Sequence, residues 1–393
     1  MHSFLFISVA ALIGILAPFS IDTYLPSFPA IEASLDISRE LLTQSLSIYL
    51  LSFAIATLIW GPLSDRFGRQ PIILVSLTGY FLASVLCALA NDFQHLLLGR
   101  ALQGIMAAGS LIASRAMVRD YFDSIEAQRA MALMMMLFSA APAVAPIIGG
   151  YLEVNFGWRS VFVFLALYGL LLFCLVGLKV SETQLKGTTH SLHPKIVAQS
   201  YWLSLKHPTF LKIVLAQGCL MGGFFLYVAG STSILYDHLH LGEQDFGQFF
   251  VPMVSGILLG SWVVHRFSHT LPAGKLLQIA FGVSVFAVSL NLFLQTSATP
   301  NIFSVMLPIA LYAIGFSMAN PSLSISGLDC FPEKRGLASA MQSLFQMGIS
   351  GLVTALVLPF VHHSLFQMAF AQALLLALAL LLCRQTNTEE SEQ

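Results

Sequence analysis

The sequence predicts an all-α membrane protein whose twelve transmembrane helices form two pseudo-symmetric bundles of six. Three observations lead there. Hydrophobic residues fill 57% of the 393 positions and charged residues only 9%. Soluble domains carry roughly 25% charged residues, so a soluble globule of this size could not cover its surface. The apolar residues also fall in twelve runs, each near the ~20 residues that cross a bilayer as a helix. One long polar interruption, residues 179–207, divides the runs six and six.

Taken in order, the spans lie at about 4–25, 41–62, 71–90, 94–117, 129–152, 158–178, 208–236, 246–265, 274–295, 300–324, 335–360 and 362–383. The first has no basic segment before it and no A-x-A site after it, so it reads as a retained helix rather than a signal peptide. With the N-terminus inside, fifteen of the eighteen Lys and Arg residues fall on the cytoplasmic side, Arg39 and Arg159 outside, and Arg100 within a span. That division is the positive-inside pattern of a chain with both termini cytoplasmic. The domains expected are a six-helix bundle over 1–178, a cytoplasmic linker over 179–207 with Lys186, His190 and His193, a second bundle over 208–383, and a disordered tail over 384–393. The two halves echo one another. Asp65-Arg66-Phe67 is answered by His265-Arg266-Phe267, and Arg129-Ala-Met-Ala by Arg335-Gly-Leu-Ala. Gly218-x-x-x-Gly222 and Gly256-x-x-x-Gly260 suit close helix packing within a monomer.

Several chemistries lack support. The five cysteines form no C-x-x-C pair, which argues against disulfides and zinc. No H-E-x-x-H, G-x-S-x-G or G-x-x-x-x-G-K-[ST] pattern occurs, so no catalytic residues, metal or other cofactor, ATP motor or nucleic-acid partner is expected. The protein does not read as an enzyme. A scaffold would leave its intramembrane charges without work.

Two charges stand inside spans away from the cytoplasmic helix ends, Asp22 and Arg100. A charge at mid-membrane costs roughly 2.5–3.5 kcal/mol on insertion scales, so it should meet a partner or a water-filled cavity. Counted from Glu32 and Asp92 as surface markers, they lie about 15 and 12 Å deep at ~1.5 Å per residue. The depths match, so the two are expected to form a pair, with Asp22 carrying or gating a proton and Arg100 tuning it. A static ion pair between two helices is the alternative reading. Polar, aromatic and methionine side chains within spans are candidate substrate contacts, because they give a pliable lining for lipophilic ligands. They are Tyr49, Gln103, Met135, Phe138, Gln217, Phe224, Phe225, Tyr227, Tyr312, Phe316, Asn320, Gln342, Phe345 and Gln346.

Three segments carry a resemblance. Gly61-Pro-Leu-Ser-Asp65-Arg66-Phe-Gly68-Arg69-Gln70 resembles the G-x-L-x-D-R-x-G-R-R loop between the second and third helices of major facilitator superfamily transporters, with Gln70 in place of the last basic residue. Arg100-Ala-Leu-Gln103-Gly104 resembles their R-x-x-Q-G motif. Pro142-Ala-Val-Ala145-Pro146-Ile-Ile-Gly149-Gly150 resembles the antiporter motif of the fifth helix, with Ala145 where that motif has glycine. Together with Asp22-Thr-Tyr-Leu-Pro26-Ser-Phe-Pro29, the pattern resembles the Bcr/CflA branch of drug:proton antiporters. The resemblance implies a bacterial inner-membrane exporter with a central cavity and alternating access, exchanging protons for lipophilic drugs or similar small molecules. It implies a cytoplasmic latch of Gly61, Asp65, Arg66, Gly68 and Arg69, and a fifth helix shaped for closure. An exporter dedicated to one metabolite, such as a siderophore, and a proton-symporting importer are the alternatives within transport.

Overall fold

The computed structural model describes residues 3–122, 124–183, 194–297 and 300–391. Among them no strand occurs, and twelve helices are long and apolar enough to cross a membrane, from Phe6–Leu35 to Leu365–Arg384.

The first span is broken. α1 (Ser3–Gly14) gives way to α2 (Leu16–Asp22), a 3₁₀ turn at Leu25–Ser27 and α3 (Phe28–Leu35). Pro18, Pro26 and Pro29 account for this, since each withdraws an N–H from the helical ladder. α4 (Arg39–Phe67), α5 (Arg69–Ala88), α6 (Phe93–Tyr121), α7 (Ser124–Phe156) and α8 (Arg159–Lys179) supply the next five spans. The second half follows with α10 (Pro208–Thr232), α11 (Phe246–Phe267), α12 (Ala273–Ser297), α13 (Ile302–Asp329), α14 (Arg335–Leu352), α15 (Leu358–Val361) and α16 (Leu365–Ser391). α10 runs on into a π-helical turn at Ser233–His238, and another, Val353–Val357, links α14 to α15.

Both polar segments hold helix. The linker holds a helix, α9 (Pro194–Leu205), which opens on proline at a position where a missing N–H costs nothing. Its Lys186, His190 and His193 lie outside the described residues. The tail expected to be disordered continues α16 to Ser391. No Gly or Pro interrupts 365–391, and each added residue extends an existing helix by one hydrogen bond.

The chain divides into two compact units, Met1–Ile196 and Val197–Gln393. In the first, α6 packs along α4 and α5, α5 along α8, and the first span along α7. In the second, α13 packs along α11 and α12, while α10 lies against α14 and α16. The α4–α6 and α11–α13 crossings are closed by Gly104 against the Tyr49 carbonyl and Gly256 against the Ala310 carbonyl. The α5–α6 and α12–α13 crossings are closed by Gly109 against Ser76 and Gly315 against Ser284. A Cβ at any of the four would overlap its neighbour. Small residues let helices of a membrane protein come this close.

Candidate functional site: a buried arginine and its cage

Arg100 lies on α6 and is fully buried. Its Nη1 donates to the Ser20 carbonyl at 2.9 Å and to Gln103 Oε1 at 2.7 Å. Gln103, one turn further along α6, donates from Nε2 to Ser84 Oγ on α5 at 2.7 Å. Two aromatic faces complete the cage, with the guanidinium carbon 4.9 Å from the Tyr24 ring centroid and 4.5 Å from that of Tyr49. Hydroxyl pairs brace the walls, Ser20 with Tyr80 at 2.5 Å and Tyr24 with Ser45 at 2.5 Å. The break in the first span makes this possible. α2 ends at Asp22, so the Ser20 carbonyl belongs to the last turn, whose acceptors are open to side chains.

Asp22 is also buried, at 3% exposure, but the expected pair with Arg100 is not made. Among the described residues Asp22 forms no ion pair, and no carboxylate neutralises Arg100. Carbonyl dipoles and ring faces meet the guanidinium instead, leaving Arg100 Nε and Nη2 without partners among the described residues. Matching depth placed both residues in one layer; it could not say that a freed carbonyl would take the guanidinium.

The fifth span touches the same place. Pro142 and Pro146 lie inside α7, and Ala145, Pro146, Gly149 and Gly150 are buried. Gly149 faces the Thr23 carbonyl so closely that a Cβ would overlap it. That contact falls one residue after Asp22. Met135 on α7 is exposed, with its sulfur 4.0 Å from Arg115 Nη2, and Phe138 is half-buried.

At the far end of α4, the motif segment is a helix end, one connecting residue and a helix start. The connector Gly68 has φ 98°, a conformation that favours glycine, and a Cβ there would overlap the Glu182 carboxylate. Glu182 accepts from the Arg69 and Gln70 amides at 3.1 Å each, so a carboxylate caps the N-terminus of α5. Gln70, standing where the motif has a basic residue, donates to the Val180 carbonyl at 2.7 Å. Arg69 is buried and bonds Asp65, Ser64 at 3.1 Å and Asp120 at 2.8 Å. Arg66 is exposed and lies 5.1 Å from the Phe67 ring centroid, as Arg266 lies 5.8 Å from that of Phe267. Gly61 has open space beside it.

Among the described residues, the buried polar side chains of the second unit include no Asp, Glu, Lys or Arg. Gln217 Nε2 reaches Asn320 Oδ1 at 3.4 Å, and Phe224 stacks on Phe316 at 5.1 Å, so α10 and α13 share a strip of amides and rings. Gln342 bonds Ser324 twice, at 2.9 and 3.0 Å. Tyr312 Oη donates to the Leu220 carbonyl at 3.0 Å. Tyr227 Oη accepts from Asn291 at 2.6 Å, and Gln372 Nε2 donates to the Gly223 carbonyl at 3.2 Å. Phe225 is buried; Phe345 and Gln346 are half-buried. Asn291 and Gln372, like Ser20, Tyr80, Ser84, Asp120 and Glu182, were not among the site residues expected from the sequence. Asn291 and Gln372 are isolated amides in apolar runs, a signal that would have found them.

Residues 10–355 match the family model described as Major Facilitator Superfamily. The chain belongs to that superfamily. As a superfamily member it is a multi-pass membrane transporter, and its relatives are transporters rather than enzymes. It is 32% identical over 358 residues to the Bacillus subtilis MFS-type transporter YdgK, covering 89% of this chain and 88% of that one. It is 28% identical over 355 residues to the Bicyclomycin resistance protein homolog of Haemophilus influenzae, covering 90% and 89%. The Multidrug resistance protein MdtL of an Escherichia coli strain is 27% identical over 352 residues, covering 90% and 87%. Among solved structures, a D-xylose-proton symporter shares the fold with a TM-score of 0.76 at 16% identity, covering 97% of each chain. A bacterial homologue of the lysosomal transporter Spinster does so at 0.73 and 16%, covering 98% of each. The expected fold is confirmed, and the expected resemblance to drug-resistance exporters agrees with these relatives.

Proposed function

We propose that the protein is a proton-coupled exporter of lipophilic drugs or similar small molecules, working by alternating access in a bacterial inner membrane with both termini cytoplasmic. The observation that carries this reading is the buried, unpaired Asp22 beside the Arg100 cage. A charged carboxylate without a counter-ion is costly inside a membrane, whereas a neutral carboxylic acid is tolerated. The arrangement therefore suits a carboxyl that holds its proton here and releases it when the surroundings change. Arg100, with two unused donors, stands ready to receive the carboxylate that release would leave. The Gly149 contact with Thr23 ties the fifth helix to the same turn, a route by which its movement would change the setting of Asp22.

In this account Asp65, Arg66, Gly68 and Arg69 latch the cytoplasmic side, and the amide and aromatic strip of the second unit contacts substrate. The relatives named for bicyclomycin and multidrug resistance support a drug-like substrate. The driving force is adequate, at about 2.3 kcal/mol per charge per 100 mV and ~1.4 kcal/mol per pH unit. The test is proton flux in proteoliposomes challenged with a panel of lipophilic drugs and chelators. Drug-triggered flux that vanishes in Asp22→Asn is expected. Flux that persists in the variant would place the proton elsewhere.

A further inference from the structure

The helix α9, which precedes the span Pro208–His238, presents a face with two large apolar side chains, Trp202 and Leu203, to the outside. Gln199, Trp202, Leu203 and Lys206 follow the i, i+3, i+4, i+7 spacing of one helix face, and all four are exposed, Trp202 at 60% and Leu203 at 53%. Ser204, on the opposite side, is fully buried. Lys206 Nζ lies 5.5 Å from the Trp202 ring centroid, close enough for the cation to rest against the indole. Residues 194–207 contain two lysines and a histidine and no acid.

Chain connectivity fixes how far this face can stray from the bilayer. Trp202 precedes Pro208 by six residues, about 9 Å at a helical rise. His207 Nδ1 accepts from the Phe210 amide at 3.2 Å, joining the turn directly to the spanning helix. A tryptophan and a leucine beside a lysine, at the mouth of a span, match the headgroup layer, where an indole finds apolar chains on one side and water on the other. The missing acids make the same face complementary to anionic lipid.

We propose that α9 lies in the headgroup layer as an interfacial helix and binds anionic lipid through Trp202, Leu203 and Lys206. Full-length protein would be reconstituted into phosphatidylcholine bilayers brominated at defined chain depths, with and without phosphatidylglycerol. The chain has four tryptophans, so the Trp202 signal is the difference between wild type and Trp202→Phe. That component should be quenched at least twofold more by bromine near the headgroup than near the methyl end, and shielded from acrylamide. Phosphatidylglycerol should increase the quenching in wild type and leave Lys206→Gln unchanged. Acrylamide access without lipid quenching would overturn the proposal by leaving the helix in water. Shielding from both quenchers would overturn it by showing that protein covers the face. Hydrogen exchange of residues 199–206 in wild-type protein tests it without substitution: slower exchange in phosphatidylglycerol is expected, and equal rates in both lipids would contradict the anionic preference.

Discussion

The fourth span of the first unit is capped by Asp92 and carries Arg100; its counterpart in the second unit is capped by Asn301 and carries Tyr312. Asp92 accepts from the His95 amide at 2.9 Å, and Asn301 accepts from the Ser304 amide at the same distance. Arg100 reaches across to the carbonyl of Ser20, and Tyr312 to that of Leu220. The scaffold is repeated, down to the glycines that close the crossings, but the charge is not. Among the described residues of the second unit's spans, acids occur only toward the ends, at Asp237, Asp329 and Glu333. Hydrogen bonds from neutral groups are enough to hold helices together. A buried arginine therefore calls for a further reason, and the proton coupling proposed for the first unit would supply one.

The sharpest way to break the comparison is to neutralise one side of it. Asp22→Asn should reduce drug-driven proton flux by at least tenfold in proteoliposomes while the protein still folds. Gln217→Leu in the second unit should leave coupling intact and raise the apparent KM for drug. Equal loss of coupling in both would erase the distinction between the units.

Packing gives the next largest effect. A Cβ at Gly149 would overlap the Thr23 carbonyl, whereas one at Gly222 would meet the side chains of Val353 and Ile349 at 3.1 and 3.3 Å and the Ile349 carbonyl at 3.9 Å. Overpacking a tight contact costs ~1–3 kcal/mol, so Gly149→Ala should lower the thermal midpoint in detergent clearly more than Gly222→Ala does. Smaller again is Tyr312→Phe, which removes a single hydrogen bond and should cost about 1 kcal/mol without altering proton flux. Arg100→Leu, at the corresponding reach across its own unit, should abolish flux.

The caps give the smallest difference. The His95 amide and side chain hold the Asp92 carboxyl below the ordinary carboxylate range. A depressed folded value means that its stabilisation is present above the unfolded value and fades as pH falls through the folded one. Acid should therefore loosen the start of α6, seen as faster hydrogen exchange, while the Asn301 cap of α13 stays unchanged.

Much of the fold was legible because a bilayer imposes simple rules on the length and apolarity of the helices that cross it. Asp22, Arg100 and the Pro/Gly segment of α7 were legible for the same reason, since polar groups and helix breakers inside spans are expensive. Partner choice was not. That Arg100 takes the Ser20 carbonyl depends on prolines opening the first span and on where α6 crosses it, and a linear pattern holds no such geometry. Glu182 was read as part of a polar linker, because its cap on Arg69 and Gln70 joins segments more than a hundred residues apart. α9 lies within the segment 179–207, which was read whole as a polar linker.

The central claim, that one carboxyl in the first unit exchanges its proton as substrate is handled, is tested most directly by infrared difference spectroscopy of the reconstituted protein on adding a transported drug. The account predicts loss of a protonated carboxyl stretch that is missing from Asp22→Asn. A carboxyl band that responds to drug equally in wild type and Asp22→Asn would contradict it.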